Sequence, residues 1–285
     1  MIDYSNHRLY KNENFKDLKN KSSIFKKVNN GKSNSIVYYF EINKNKHIIK
    51  YNEINDTFIK EIFIHLQINE IIKNFVSEII QFGILEIKDK KYLYYISEFI
   101  EGLHIKDLYT SNIIKNKNKL KKIYIDFLKK YKKVNNLIEF IHMDIQNNNI
   151  IYDLKKKILI LIDMGTSYTD KYPYTFLKKT KKKIEIPIKT HIFPYKNIQK
   201  TSFNYNIKYI TFSQNKEYRS IKKLNTNLID LINILKLYNT GVRMLFNDIN
   251  SQIEIKDRDA MILNSKRKRY TYKIDYCIKL ICSKK

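Results

Sequence analysis

Between Phe140 and Asp153 the chain reads FIHMDIQNNNIIYD, with one histidine, one aspartate and a run of asparagines between two apolar patches. Asn and Asp populate turns readily, so a solvated turn is one reading. The chemical reading is a loop in which Asp144 handles a proton and an amide holds a metal ion. The continuation, LKKKILILIDMG, supplies a charged turn, a second apolar strand and a second acid. A tight hairpin over this stretch would set Asn149 and Asp163 side by side at its open end, with Asp144 close by on the approaching loop. Such oxygen ligands suit Mg²⁺, which takes few protein ligands and keeps room for phosphate oxygens and water. Asp144, unless bound to metal, is placed to accept a proton from a hydroxyl nucleophile.

The elements that must position this loop are legible on both sides of it. Upstream, KLKKIYIDFLKKYKKVNNLIEFI carries Leu120, Ile123, Phe127, Leu128, Tyr131, Val134, Leu137 and Ile138 on one stripe with lysines opposite, a long amphipathic helix. The first hundred residues read as strand, strand, helix, strand, strand, the order of a small sheet carrying one helix. SNSIVYYFEI and KHIIKYNE form a hairpin-like pair around NKNK, and SEIIQFGILEI and KYLYYISEFI form another around KDKK. Between the pairs, NDTFIKEIFIHLQINEII changes to helical spacing, with Asn55 or Asp56 as its cap. Downstream, TNLIDLINILKLYNTG is a buried helix expected to end at Gly241. The last forty residues carry no pattern that assigns them.

Composition bounds the class. A chain of 285 residues with 43% hydrophobic and 13% aromatic residues folds, as one large domain or two modest lobes. The formal net charge of +27, from 55 Lys+Arg against 28 Asp+Glu, points to nonspecific contact with nucleic acid or another acidic surface. Ile, Lys, Asn and Tyr all have AT-rich codons, so codon bias accounts for part of that charge. Two cysteines, Cys277 and Cys282, exclude a disulfide framework and a four-cysteine metal site. The polar start lacks a signal-peptide core, and no segment is long and apolar enough for a transmembrane span. The expectation is a soluble, cytoplasmic chain.

With these residues in view, the loop resembles the catalytic loop and metal-binding triplet of the protein-kinase superfamily, H-x-D-x-x-x-x-N followed by D-x-G, at His142, Asp144, Asn149, Asp163 and Gly165. The resemblance implies an α+β, bilobal protein-kinase-like fold: a small β-rich N-lobe with one helix over residues 1–98, and a larger, mainly helical C-lobe over residues 99–285. It implies ATP and Mg²⁺ as cofactors, Asp144 as the catalytic base, and Asn149 and Asp163 as metal ligands. Lys50, at the end of HIIK, would hold the phosphates and Glu61 would fix Lys50, with Lys46 and Glu70 as alternatives. Gly31 and Ile36 would belong to the phosphate loop, and Glu98 and Ile100 would offer backbone groups to adenine.

Departures from the family pattern are specific. In the phosphate loop Asn29 and Asn34 stand where glycines are usual, so only Gly31 keeps the pattern. Met143 stands in place of the Arg beside the catalytic Asp, and Gln146 in place of a lysine. No A-P-E follows the D-x-G, the nearest substitute lying around Pro194. Asp230, inside an apolar helix, matches the buried acid that braces the catalytic loop, because an acid there needs hydrogen-bond partners. The implied activity is transfer of the ATP γ-phosphate to Ser or Thr of a protein substrate. The alternatives are a small-molecule kinase of choline or aminoglycoside type, and a pseudokinase or basic binding module.

Overall fold

The computed structural model describes residues 8–28, 35–167, 169, 227–250, 252–253 and 269–284. These form an α+β chain in two compact units, divided between Ile100 and Glu101.

The first unit is built on a six-stranded sheet. Its strands are β1 (Glu13–Asn14), β2 (Ile24–Lys27), β3 (Ile36–Ile42), β4 (Asn45–Asn52), β5 (Ile79–Ile87) and β6 (Lys90–Glu98), in the spatial order β1-β5-β6-β4-β3-β2. Two hairpins supply most of it. Asn43 and Lys44, both at positive φ, turn β3 into β4, and Lys88 and Asp89 do the same between β5 and β6. Consecutive left-handed residues give the turn whose twist matches paired strands. Helix α1 (Phe15–Lys21) follows β1, and α2 (Asp56–Ile71) joins β4 to β5. The Asn55 side chain caps α2 by accepting from the Phe58 N–H at 2.9 Å.

Alternate residues of the sheet feed two cores. Tyr95 and Phe82 pack with Phe58, Ile62 and Phe63 of α2. Tyr94, Ile49 and Phe40 pack on the other face with Leu18 of α1, flanked by Phe15 and Phe25. Sequence patterning had no assignment for this N-terminal stretch, because β1 and α1 are too short to show a period. Gly83 makes room for it: a Cβ there would come within 1.9 Å of the Lys11 carbonyl oxygen.

The second unit contains α3 (Ile105–Thr110), α4 (Lys117–Ile138), α5 (Asn227–Phe246) and α6 (Arg269–Ser283), with the small sheet β7 (Gly102–His104), β8 (Ile150–Asp153) and β9 (Ile158–Leu161). Helix α4 lies at its centre, packed by α5 and α6. The expected stripe is buried except at one position. Leu137 is 53% exposed, because the buried face steps from Val134 and Asn135 to Ile138 and leaves 137 outside it. The helix stops at Glu139, which takes a left-handed conformation. Gly241 does not end α5, which continues to Phe246. The glycine serves packing instead, since a Cβ there would meet the Tyr109 ring at 2.7 Å. Helix α6 occupies the stretch that sequence pattern left unassigned. No helix among the described residues is long and apolar enough to cross a membrane.

Candidate active site

The first unit holds a buried ion pair. Lys50 lies on β4 and Glu61 on α2, and Lys50 Nζ is 2.7 Å from Glu61 Oε1. The residues are 8% and 2% exposed, so the pair sits out of water, where removing either charge is costly to the other. Of the two lysines on β4 considered from sequence, Lys46 is exposed at the strand's start. The glutamate that meets Lys50 is Glu61 rather than Glu70. A second donor reaches the same oxygen, the Tyr95 hydroxyl at 2.9 Å.

The remaining nucleotide positions expected from sequence fall in the same unit. Ile36 opens β3 and pairs with Tyr51, while Gly31 lies outside the described residues. Glu98 ends β6; its N–H donates to the Glu78 carbonyl at 3.0 Å and its carboxylate accepts from the Glu78 N–H at 3.3 Å. Ile100 follows with a buried side chain. Among the described residues no backbone carbonyl accepts from the Ile100 N–H.

The second unit holds the loop. Asp230, fully buried on α5, accepts from the His142 N–H at 2.6 Å, the Met143 N–H at 2.9 Å and the Tyr131 hydroxyl at 2.9 Å. Burial raises its carboxyl above the ordinary aspartate range, opposed by those donors. Met143 is held at φ 69 with its side chain buried, a conformation uncommon for a bulky residue. The Asp230 hydrogen bonds offset that strain by fixing the two amides that lead into Asp144.

His142 is a structural member of this loop. Its Nε2 faces the Ile162 carbonyl at 3.1 Å, and its Nδ1 accepts from the Asp144 N–H at 3.3 Å. A carbonyl can only accept and an amide can only donate, so the ring is the neutral Nε2–H tautomer. It ties the loop to the end of β9. Thr166 adds a second tie, its hydroxyl donating to the His142 carbonyl at 2.9 Å.

Asp144 is half-buried. Its Oδ2 accepts from Asn149 Nδ2 at 2.8 Å and from Gln146 Nε2 at 2.9 Å. Asn149 Nδ2 also reaches the Asp144 carbonyl at 2.9 Å, which turns the amide oxygen of Asn149 away from this contact. The hairpin β8–β9 pairs Ile150 with Leu161, and the Ile162 N–H donates to the Asn149 carbonyl at 2.9 Å. Asn149 and Asp163 therefore flank the open end of that hairpin. Asp163 is exposed at φ 61 and begins a short 3₁₀ turn, Met164–Thr166. One amide oxygen and one carboxylate fit Mg²⁺, which completes its shell with phosphate and water. Among the described residues no three His, Cys, Asp or Glu side chains gather as a self-contained metal site.

No family model matches the chain, and a search of curated proteins finds no match. The site therefore stands on its own residues. Sequence reasoning missed Tyr95, and the reason is compositional: one tyrosine in a strand carries no signal among 23. The Thr166 contact with the loop was missed as well. A hydroxyl three residues beyond an acid is too common a pattern to single out.

Proposed function

We propose that this chain is an ATP-dependent, Mg²⁺-requiring phosphotransferase of protein-kinase type, with protein Ser or Thr hydroxyls as acceptors. The observation that carries the reading is the Lys50–Glu61 pair. In a chain with so many lysines, one chosen for its strand and one glutamate chosen for its helix meet at 2.7 Å, both buried. The braced loop around Asp144 supports the same chemistry.

In this reading Lys50 holds the ATP phosphates and Glu61 keeps Lys50 extended toward them. The amide oxygen of Asn149 and the Asp163 carboxylate hold Mg²⁺, which supplies neutralisation of the phosphate charge. Asp144 accepts the proton of the acceptor hydroxyl as its oxygen bonds to the γ-phosphorus, and the bond from that phosphorus to the ADP oxygen breaks. Gln146 and Asn149 hold one Asp144 oxygen, so the carboxylate keeps a fixed orientation. The rate gain is one of positioning and electrostatics.

Gln146 favours a second reading. The residue beside the acid is a neutral amide hydrogen-bonded to it, without the lysine of Ser/Thr kinases, which suits a small-molecule acceptor of choline or aminoglycoside type. The deciding experiment incubates the full chain with γ-labelled ATP and Mg²⁺, against a mixed protein substrate and against choline and aminoglycosides, with Asp144→Asn as control. Labelled protein lost in that variant supports the first reading. Label only on a small molecule supports the second, and ATP binding without transfer in wild type leaves a nucleotide-binding scaffold.

A further inference from the structure

The Lys50–Glu61 pair has an unusual neighbour. Lys50 and Tyr95 are directly opposite in the antiparallel pair β4–β6, so their side chains share one face of the sheet. Both reach the same oxygen of Glu61, Lys50 at 2.7 Å and Tyr95 at 2.9 Å. The Tyr95 ring is itself fixed by α2. It stacks on Phe58 at 5.8 Å and meets the His65 ring edge-on at 5.7 Å. Phe58, Glu61 and His65 lie on one face of the helix, three and then four residues apart. A single tyrosine thus reads two turns of α2 and ends on the carboxylate that pairs with Lys50.

We propose that Tyr95 is a positioning residue that locks α2 in register against β6, so that the Lys50–Glu61 pair is permanently formed and does not depend on a regulated movement of the helix. A neutral hydroxyl suits this task. It fixes the carboxylate without neutralising it, leaving the full charge for Lys50. A rotation or slide of α2 would break the hydroxyl bond and both ring contacts together. Helix α2 is also buried continuously from Phe58 to Leu66, so it has no solvent face to roll onto. The consequence for turnover rests on the phosphotransfer reading; the lock itself does not.

The test compares the full-length wild type with Tyr95→Phe, Glu61→Gln and the double variant. Phe keeps the ring and its packing and removes only the hydroxyl. The first readout is acylation of each lysine by a small amine-reactive reagent, followed by mass spectrometry without nucleotide. Lys50 labelling rises roughly tenfold in Tyr95→Phe, as loss of a hydrogen bond to a charged group implies, while exposed Lys46 labels as before. In the Glu61→Gln background the same change adds little, because Tyr95 acts through Glu61. A rise of equal size in both backgrounds, or no rise in Lys50 labelling, overturns the proposal. Phe58→Leu, which loosens the ring but keeps every hydrogen-bonding group, gives a smaller rise. The second readout is turnover, where Tyr95→Phe lowers kcat about tenfold, again only when Glu61 is present. If wild type transfers no phosphate while Lys50 labelling still answers to Tyr95, the phosphotransfer reading falls and the lock stands.

Discussion

The two units solve one problem, a buried charge, in opposite ways. In the first, Glu61 is answered by a countercharge, Lys50, with Tyr95 as a neutral second donor. In the second, Asp230 is held, among the described residues, by two backbone amides and a tyrosine hydroxyl rather than by a cation. The first arrangement presents a charged side chain, which is what holding a phosphate requires. The second fixes the path of the backbone, which is what a loop delivering Asp144 requires. A countercharge can be replaced together with its partner; backbone amides cannot. That difference can be broken experimentally.

The largest effect belongs to Asp230. Asp230→Ala strands three donors that water cannot readily reach, each costing roughly 1–3 kcal/mol, so about 4 kcal/mol of stability goes. Urea unfolding measures it. No second substitution restores the loss, since two of the donors are main-chain. Breaking the other site costs a similar amount at first. Glu61→Leu takes the Glu61 carboxylate from the buried Lys50, which costs about 3–5 kcal/mol. Here, however, Lys50→Met and Tyr95→Phe added to Glu61→Leu should return stability to within about 1 kcal/mol of wild type. If that triple variant remains as unstable as Glu61→Leu alone, loss of the Lys50–Glu61 contact is not what destabilises Glu61→Leu. Under the proposed phosphotransfer the ranking is equally sharp: Lys50→Met should lower turnover by about a hundredfold or more, while Lys46→Met, exposed at the strand's start, should change it less than twofold. The reverse order would move the phosphate-holding role to Lys46.

The units also differ in their response to pH. His65, in the first unit, gives its Nε2 to the Ser77 carbonyl at 2.6 Å, and burial lowers it from 6.5 to about 4. The unfolded chain therefore binds a proton that the folded chain refuses. Stability from this residue is present above pH 6.5 and is lost as pH falls toward 4. At about 1.4 kcal/mol per pH unit the loss is about 3 kcal/mol. Asp230 has the opposite sign: its raised carboxyl binds a proton in the folded state before the unfolded one does. Its contribution therefore falls as pH rises from the ordinary aspartate value of 3.8. Urea unfolding at pH 7, 5.5 and 4.5 should show His65→Gln flattening the acid loss. An unchanged slope in that variant would assign the acid sensitivity elsewhere.

How much of this was legible beforehand follows from where each signal lives. Helix α4 shows a full period over its length, and Asp230 stands out because an acid in an apolar run must find partners. The loop from His142 to Asp163 shows itself by spacing alone. Tyr95 does not, because its role depends on strand register, which sets it opposite Lys50, and register is a tertiary fact. Gly241 misled for a related reason. A glycine after an apolar run reads as a helix end, yet here it clears space for Tyr109 inside the helix. The short elements β1 and α1 exist by pairing with β5 and by burying Leu18, neither of which local pattern can reveal.

The smallest expected effect concerns regulation, and it tests whether the second unit needs a switch. In kinases with Arg beside the catalytic Asp, that charge commonly waits for a phosphorylated loop residue to neutralise it. Met143 carries no charge, its side chain is buried, and its amide is already held by Asp230. The described Ser and Thr hydroxyls that follow Asp163 have structural occupations instead. Thr166 donates to the His142 carbonyl, Thr169 donates to the Ile138 carbonyl, and Ser167 is fully buried against Met164. Thr175 lies outside the described residues. Phosphatase treatment should thus leave the initial rate on an exogenous substrate within about twofold, because Met143 offers no charge for a phosphate to neutralise. Thr169→Val should cost about 1 kcal/mol of stability, the value of one buried hydrogen bond, without abolishing turnover. A large loss of rate after phosphatase, matched by the combined variant Thr166→Ala, Ser167→Ala, Thr169→Ala and Thr175→Ala, would mean that another cation takes the part Met143 cannot. The second unit would then be switched by charge rather than fixed by its backbone.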